Sequence, residues 1–350
     1  MSGLVVGVTG STGHLGGLLL AELLSDPCVA EVRSIARRPL GGARRFSQHP
    51  GHGTGLSSER ARLVHVQADL TDELARRTLL GVNILYHLAA QVWRGRGPAG
   101  LGEMYRVNVA GTQNVLAAQP GAVVFASSAS VYGAWPDNPL PMDEDNVARP
   151  NPECAYAQQK LLAEQLCLAS RSPARVVVVR LAAVLGAHAD ARVSRSVQGY
   201  RLAVPAVRGV VQAVQWVDEN DAVAALLAAG RALTVGPRDG DVENGSLDGQ
   251  VLNVASADWL SAAQMAGIAG SRVVSLPRAV LMGLSELGRQ LRLVPFGADR
   301  AALIGGPLAI SSEKAQRLLG WAPKWTSAQV FEAAIARSIL GWRSQPRNRQ

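Results

Sequence analysis

Tyr156 and Lys160 stand four residues apart in Tyr-Ala-Gln-Gln-Lys, a stretch with a helical pattern, so their side chains share one face. A free phenol, with a pKa near about 10, is a poor acid or base at neutral pH. An ammonium beside it favours the phenolate and would lower the tyrosine toward the working range. Ser128 ends a predicted strand in Phe125-Ala-Ser-Ser-Ala-Ser-Val-Tyr-Gly133. Its hydroxyl is placed to hydrogen-bond a reacting oxygen and steady developing charge. Tyr-x-x-x-Lys alone is common and reads as a surface helix pair. Following a strand that ends in Ser-Ser, and downstream of the glycine loop below, it reads as a proton-transfer set: Ser128, Tyr156 and Lys160.

That loop is Thr9-Gly10-Ser11-Thr12-Gly13-His14-Leu15-Gly16, between an apolar run and a helical pattern. Gly10 permits the tight turn, Gly13 lets backbone approach a pyrophosphate, and Gly16 allows close helix–strand packing. The free N–H groups and positive dipole end of the helix suit phosphates. The expected cofactor is therefore a nicotinamide dinucleotide. The second strand ends in Ala36-Arg37-Arg38, where an NAD site usually carries an acidic residue for the ribose 2′-hydroxyl. Arg37 suits a 2′-phosphate instead, which favours NADP over NAD, unless these arginines belong only to a solvated loop. Asp69, before Leu70, follows the third strand and reads as an adenine contact, as an N-cap for the next helix, or as both.

Positioning these groups requires strands over 4–8, 31–36, 63–67, 83–88, 123–126 and 175–181. The helical patterns cover 15–24, 103–118 and 155–169. Near-continuous apolar strands alternating with helices predict an α/β fold, a doubly wound parallel sheet of Rossmann type. Beyond Gly186 the pattern becomes less regular. Residues 38–60 read as a mobile loop, 94–102 as a glycine-rich loop that could act as a lid, and 276–293 as an amphipathic helix that reads as a packing surface rather than a membrane anchor.

With 350 residues, 48% hydrophobic and 18% charged, the chain suits two domains and excludes a disordered or fibrous protein. No run approaches the ~18 apolar residues of a membrane span, and the first apolar run, 4–8, is too short for a signal sequence. Lys and Arg number 35 against 27 Asp and Glu, a net +8, which suits anionic small molecules. The arginines are scattered without aromatic-studded basic strands, so nucleic acid is not expected. Cys28, Cys154 and Cys167 lack metal-ligand spacing, and their odd number fits a reducing compartment. The expectation is a cytoplasmic enzyme with no metal.

Together these motifs resemble the extended short-chain dehydrogenase/reductases, the NAD(P)-dependent epimerase/dehydratase group. The resemblance is carried by 9–16, Asp69-Leu70, His87-Leu-Ala-Ala90, 108–114, 127–133, Tyr156 with Lys160, 180–186, 217–221 and 319–324. More loosely, 180–225 and 323–326 resemble actinobacterial UDP-glucose 4-epimerase-like proteins. The resemblance implies that Gly10, Thr12, Gly13, His14, Leu15 and Gly16 line the pyrophosphate and that Asp69 and Leu70 meet the adenine. It places Leu88, Ala89 and Ala90 along the cofactor and Asn108 near its nicotinamide half. It also implies a cofactor domain of 1–186 plus about 214–254, a substrate domain of about 187–213 and 255–345, and a homodimer through the helices at 103–118 and 155–169.

Three departures bear on the reaction. Ser128-Ala129-Ser130 stands where 4,6-dehydratases of the family carry Thr-Asp-Glu, which argues against dehydration. Ala183 replaces an Asn usual in sugar-nucleotide enzymes, and 209–216 lacks their diphosphate-binding Arg. The expected chemistry is hydride transfer at a secondary alcohol or ketone. Its forms are epimerisation of a nucleotide sugar or NADPH-dependent reduction of a ketone, aldehyde or steroid. A non-catalytic NADP-binding sensor is the alternative from another class.

Overall fold

The computed structural model describes residues 3–41, 61–93, 97–170, 175–235, 246–291, 293 and 297–343. The predicted loop at 38–60 falls mostly outside them, as do Arg94–Arg96 of the predicted lid. In chain order the strands are β1 (Leu4–Thr9), β2 (Val29–Ala36), β3 (Arg62–Gln67), β4 (Ile84–His87), β5 (Ala122–Ser128), β6 (Arg175–Leu181), β7 (Ala183–Leu185), β8 (Val204–Val207), β9 (Trp216–Asp218), β10 (Gln250–Val254) and β11 (Val273–Leu276). The helices used below are α1 (His14–Ser25), α2 (Glu73–Thr78), α3 (Gly97–Tyr105), α4 (Gly111–Leu116), α5 (Ala155–Ala169), α6 (Ala191–Gly199), α7 (Glu219–Val235), α8 (Ala262–Ala269) and α9 (Arg278–Gln290). After them come α10 (Ala298–Ala301), α11 (Glu313–Leu319) and α12 (Ser327–Arg343).

Seven strands form a parallel central sheet in the order β10-β6-β5-β4-β1-β2-β3. The β1–β2, β2–β3, β1–β4 and β4–β5 pairs are each in parallel register. β6 is the clearest sequence-to-structure case. Val176 to Val179 are all buried, as a strand covered on both faces demands. The chain forms two compact units, the first from 1–126, 162–179 and 226–251, the second from 127–161, 180–225 and 252–350.

The first unit packs Ile35, Leu70, Leu79, Leu85, Val115, Phe125, Val176 and Val178 into one core. The second has its own core, in which Trp216 stacks on Phe331 at 5.9 Å between ring centroids and Tyr200 meets the Phe331 edge. It also holds two small parallel pairs, β7–β9 and β8–β11.

Three expectations need correction. Residues 97–102 belong to α3 rather than to a loop. The helix expected at 103–118 is interrupted by a π-helical turn over Arg106–Ala110. The helix expected over 276–293 is shorter, because Leu276 ends β11 and Pro277 alone connects it to α9.

Candidate active site

In the first unit, β1 runs directly into the glycine loop. Gly10 has φ +74°, and a Cβ added there would meet Ala89 Cα and N at 2.8 Å. A Cβ on Gly16 would collide with the Gly10 carbonyl oxygen. Gly13 is the N-cap of α1 and offers no side-chain cap, leaving the first N–H groups for a ligand. Ser11 Oγ, in the same loop, is buried and finds no partner among the described residues. Small residues where side chains would block approach, uncapped N–H groups and a buried orphan hydroxyl all fit a dinucleotide pyrophosphate. His14 opens α1, one residue before the start predicted at Leu15.

A buried polar chain fixes the segment beside this loop. Thr9 Oγ1 donates to His87 Nδ1 at 2.6 Å and accepts from Ala89 N at 3.3 Å. Thr112 Oγ1 donates to the Asn108 carbonyl at 2.8 Å, so at 2.9 Å it accepts from His87 Nε2–H. These bonds select the Nε2–H tautomer of His87. Asn108 grips the backbone of Gln91 twice, accepting from its N at 2.7 Å and donating to its O at 3.0 Å. It does so from the π-helical turn, a local rewinding often found at functional sites. Leu88, Ala89 and Ala90 are thereby held by β4 on one side and Asn108 on the other.

At the end of β2, Arg37 pairs with Glu103 at 3.1 Å and Arg38 donates to the Thr12 carbonyl at 3.0 Å. Asp69 accepts from Thr71 N and Oγ1 and pairs with Arg106 at 3.0 Å. Burial opposes ionisation of Asp69, but the Thr71 bonds and the Arg106 guanidinium outweigh it and hold the carboxyl below its ordinary value. The N-cap of α2 is Asp72, not Asp69. Leu70 packs under Gly111, where an added Cβ would meet its Cβ at 2.9 Å.

In the second unit, Ser128 Oγ accepts from Ser130 N at 3.2 Å and Ser130 Oγ at 2.9 Å. Its own hydrogen is thus left for another acceptor. Tyr156 and buried Lys160 lie one turn apart on α5, as the spacing predicts. Tyr156 differs from expectation in its electrostatics. Burial pushes the phenol up to about 12, and the strongest opposing cation is Arg300, 5.5 Å from the ring centroid. The Ser128 hydroxyl favours the phenolate but does not reverse the outcome. Arg300 and Glu103 were missed by sequence reasoning, since each meets its partner across a long chain separation with no local motif. Among the described residues no group of His, Cys, Asp and Glu is arranged to hold a metal ion.

Comparison with known proteins places these features in context. The family model described as the NAD dependent epimerase/dehydratase family matches residues 6–245. An uncharacterised protein of Mycobacterium tuberculosis is 26% identical over 340 residues, covering 94% of this chain and 82% of that one. A 4-hydroxy-2-methyl-3-oxo-4-farnesyl-3,4-dihydroquinoline-1-oxide ketoreductase of Stigmatella aurantiaca is 27% identical, covering 97% and 98%. Among solved structures, MoeE5 in complex with UDP-glucose and NAD superposes with a TM-score of 0.66 at 23% identity, covering 96% and 99%. The chain belongs to the NAD dependent epimerase/dehydratase family, in the extended short-chain dehydrogenase/reductase class.

Proposed function

We propose that the protein is an NAD(P)-dependent oxidoreductase acting on a secondary alcohol or ketone, with net ketone reduction as its principal direction. What supports this reading is Tyr156 one helical turn from buried Lys160 on α5, with Ser128 at the end of β5, in a chain whose glycine loop leaves the first N–H groups of α1 for a dinucleotide. When bound, the dinucleotide supplies or accepts the hydride at its nicotinamide ring. Ser128 donates a hydrogen bond to the substrate oxygen, and Tyr156 gives that oxygen its proton as the carbonyl carbon is reduced. The phenolate left behind is stabilised by Arg300 and Lys160. Ser128, Tyr156 and Lys160 are the proposed catalytic set.

Gly10, Thr12, Gly13, His14, Leu15 and Gly16 would hold the pyrophosphate, and Asp69 and Leu70 the adenine. Leu88, Ala89, Ala90 and Asn108 would flank the nicotinamide half, and Tyr156 and Lys160 would also bind the cofactor. Arg37 would bind a 2′-phosphate, which favours NADP. The same proposal divides the chain into a cofactor part, 1–186 with about 214–254, and a substrate part, about 187–213 with 255–345. It also places the protein in the cytoplasm as a homodimer. Dehydratase chemistry is not part of it, because Ala129 and Ser130 supply no acid/base pair.

The ketoreductase relative, matched over nearly its whole length, supports the reductive reading. A nucleotide-sugar epimerase is the second reading, favoured by the similarity to MoeE5, which was solved with UDP-glucose. Mass spectrometry of nucleotides released on denaturation separates the two. Loosely held NADP, with ketone-dependent oxidation of added NADPH, is the expected result. Stoichiometric, tightly held NAD with interconversion of UDP-sugars would overturn it in favour of epimerisation.

A further inference from the structure

The outward side of α9 is apolar where a solvent-facing helix is normally polar. Val280, Leu284, Leu287 and Leu291 form one stripe with helical spacing, and the three leucines are 55%, 51% and 60% exposed. Ala279 and Gly283 lie on the same exposed side. The opposite face is already engaged, with Leu281 buried against Val207 and Ala301, and Met282 and Ile304 beside them. The helix thus has two apolar faces, and among the described residues only one is covered. Leu202, 83% exposed, and Val273 are further exposed apolar residues, at the paired starts of β8 and β11, where Val273 registers with Val204. An exposed apolar helix stripe of this kind marks an interaction site.

Charge distinguishes between the occupants. Residues 187–213 and 271–293 contain eight arginines, of which Arg278 is paired with Glu153 and Arg289 with Glu286. Arg201 and Arg272 immediately precede Leu202 and Val273. Arg208 N bonds the Leu276 carbonyl, at the end of β11 from which α9 departs. All three are exposed and form no ion pair among the described residues. A second copy of the chain docked through this face would set arginines against arginines, since a two-fold contact repeats the same patch on both sides. An anionic bilayer offers both requirements at once, acyl chains for the leucines and phosphates for the guanidinium groups.

We propose that the α9 face, with Arg201, Arg208 and Arg272 around it, is a docking surface for an anionic lipid membrane. The protein would lie on the bilayer, not span it. Among the described residues no helix is long and apolar enough to cross.

Co-sedimentation of the full chain with phosphatidylcholine vesicles, with and without phosphatidylglycerol, tests this. Binding should require phosphatidylglycerol and weaken with added salt. The Arg201→Gln/Arg208→Gln/Arg272→Gln variant should lose on the order of fivefold in partitioning per arginine removed. L284E/L287E, which leaves buried Leu281 in place, should lose at least as much while retaining the wild-type circular dichroism spectrum. The proposal is overturned if wild-type protein sediments equally with and without phosphatidylglycerol, or if the arginine variant binds like wild type. It is also overturned if light scattering shows that L284E/L287E dissociates an oligomer, because the stripe would then be a self-association face.

Discussion

Single side chains decide the proton transfer. Tyr156→Phe removes the phenol that protonates the reduced oxygen, so turnover should fall by at least ~10²-fold with cofactor affinity unchanged. Steady-state kinetics beside a nucleotide-binding titration checks both halves, and undiminished turnover would remove the tyrosine from the mechanism. The sign of the pH effect follows from the raised phenol. A group held at about 12 remains protonated across the neutral range, so ketone reduction should not lose rate until strongly alkaline pH. The reverse oxidation, which needs the phenolate, should instead gain rate as pH rises. Cofactor choice turns on the Arg37–Glu103 pair. Glu103 occupies a guanidinium that a 2′-phosphate would use, so Glu103→Gln should raise the preference for NADP over NAD. Arg37→Ala should lower it, and movement of both variants in one direction would refute the assignment.

At the level of elements, the motifs legible in the sequence prove to be of two kinds. The glycine loop and α1 could be read directly, since three glycines between an apolar run and a helical pattern have few physical explanations. Gly16→Ala tests that reading, because its methyl would collide with the Gly10 carbonyl. Dinucleotide binding should be lost, while the circular dichroism spectrum stays close to wild type. Other motif residues are structural. Tyr132 of the Ser-Val-Tyr-Gly run is buried, with the Arg180 guanidinium 4.7 Å from its ring centroid and its hydroxyl 3.0 Å from Asn253 Oδ1. Gly186 leaves room for the Glu219 carboxylate, which accepts from Ala187 N and from both Nδ1 and the backbone N of His188. Periodicity located β6 and α5 at their observed bounds, because both are long and regular. It missed the π turn at 106–110, since the apolar spacing of 103–118 is nearly unchanged by one extra residue per turn. It also misread 97–102, where glycine and proline suggested a loop although Pro98 sits in the first helical turn, where its missing N–H costs nothing.

Across the whole chain, one short segment gathers the C-terminal third. Val214 bridges to Leu260 and Leu308, and Gln215 Nε2 donates to the carbonyls of Ser256 and Ile310. Trp216 N donates to Ser327 Oγ. Asp221 completes this seam by accepting from Lys324 N at 2.8 Å and Trp325 N at 3.2 Å, while its carbonyl accepts from Trp321 Nε1 at 3.0 Å. Two motifs about a hundred residues apart in sequence are therefore one structural joint, which neither reveals alone. Burial raises the Asp221 carboxyl above its ordinary value, and the two backbone donors only partly compensate. Asp221→Ala leaves both donors unpaired and should destabilise the fold by about 2–4 kcal/mol, read as a lower Tm. Asp221→Asn keeps an oxygen for both donors and removes a charge that burial disfavours, so its loss should be much smaller. The sign with pH separates the two effects. A carboxyl raised in the folded state stabilises most when protonated, and that contribution falls as pH rises through its folded pKa. The Tm of Asp221→Asn relative to wild type should therefore improve from acidic to neutral pH, while that of Asp221→Ala stays low throughout. If both variants melt alike at every pH, Asp221 is not the joint between the two motifs.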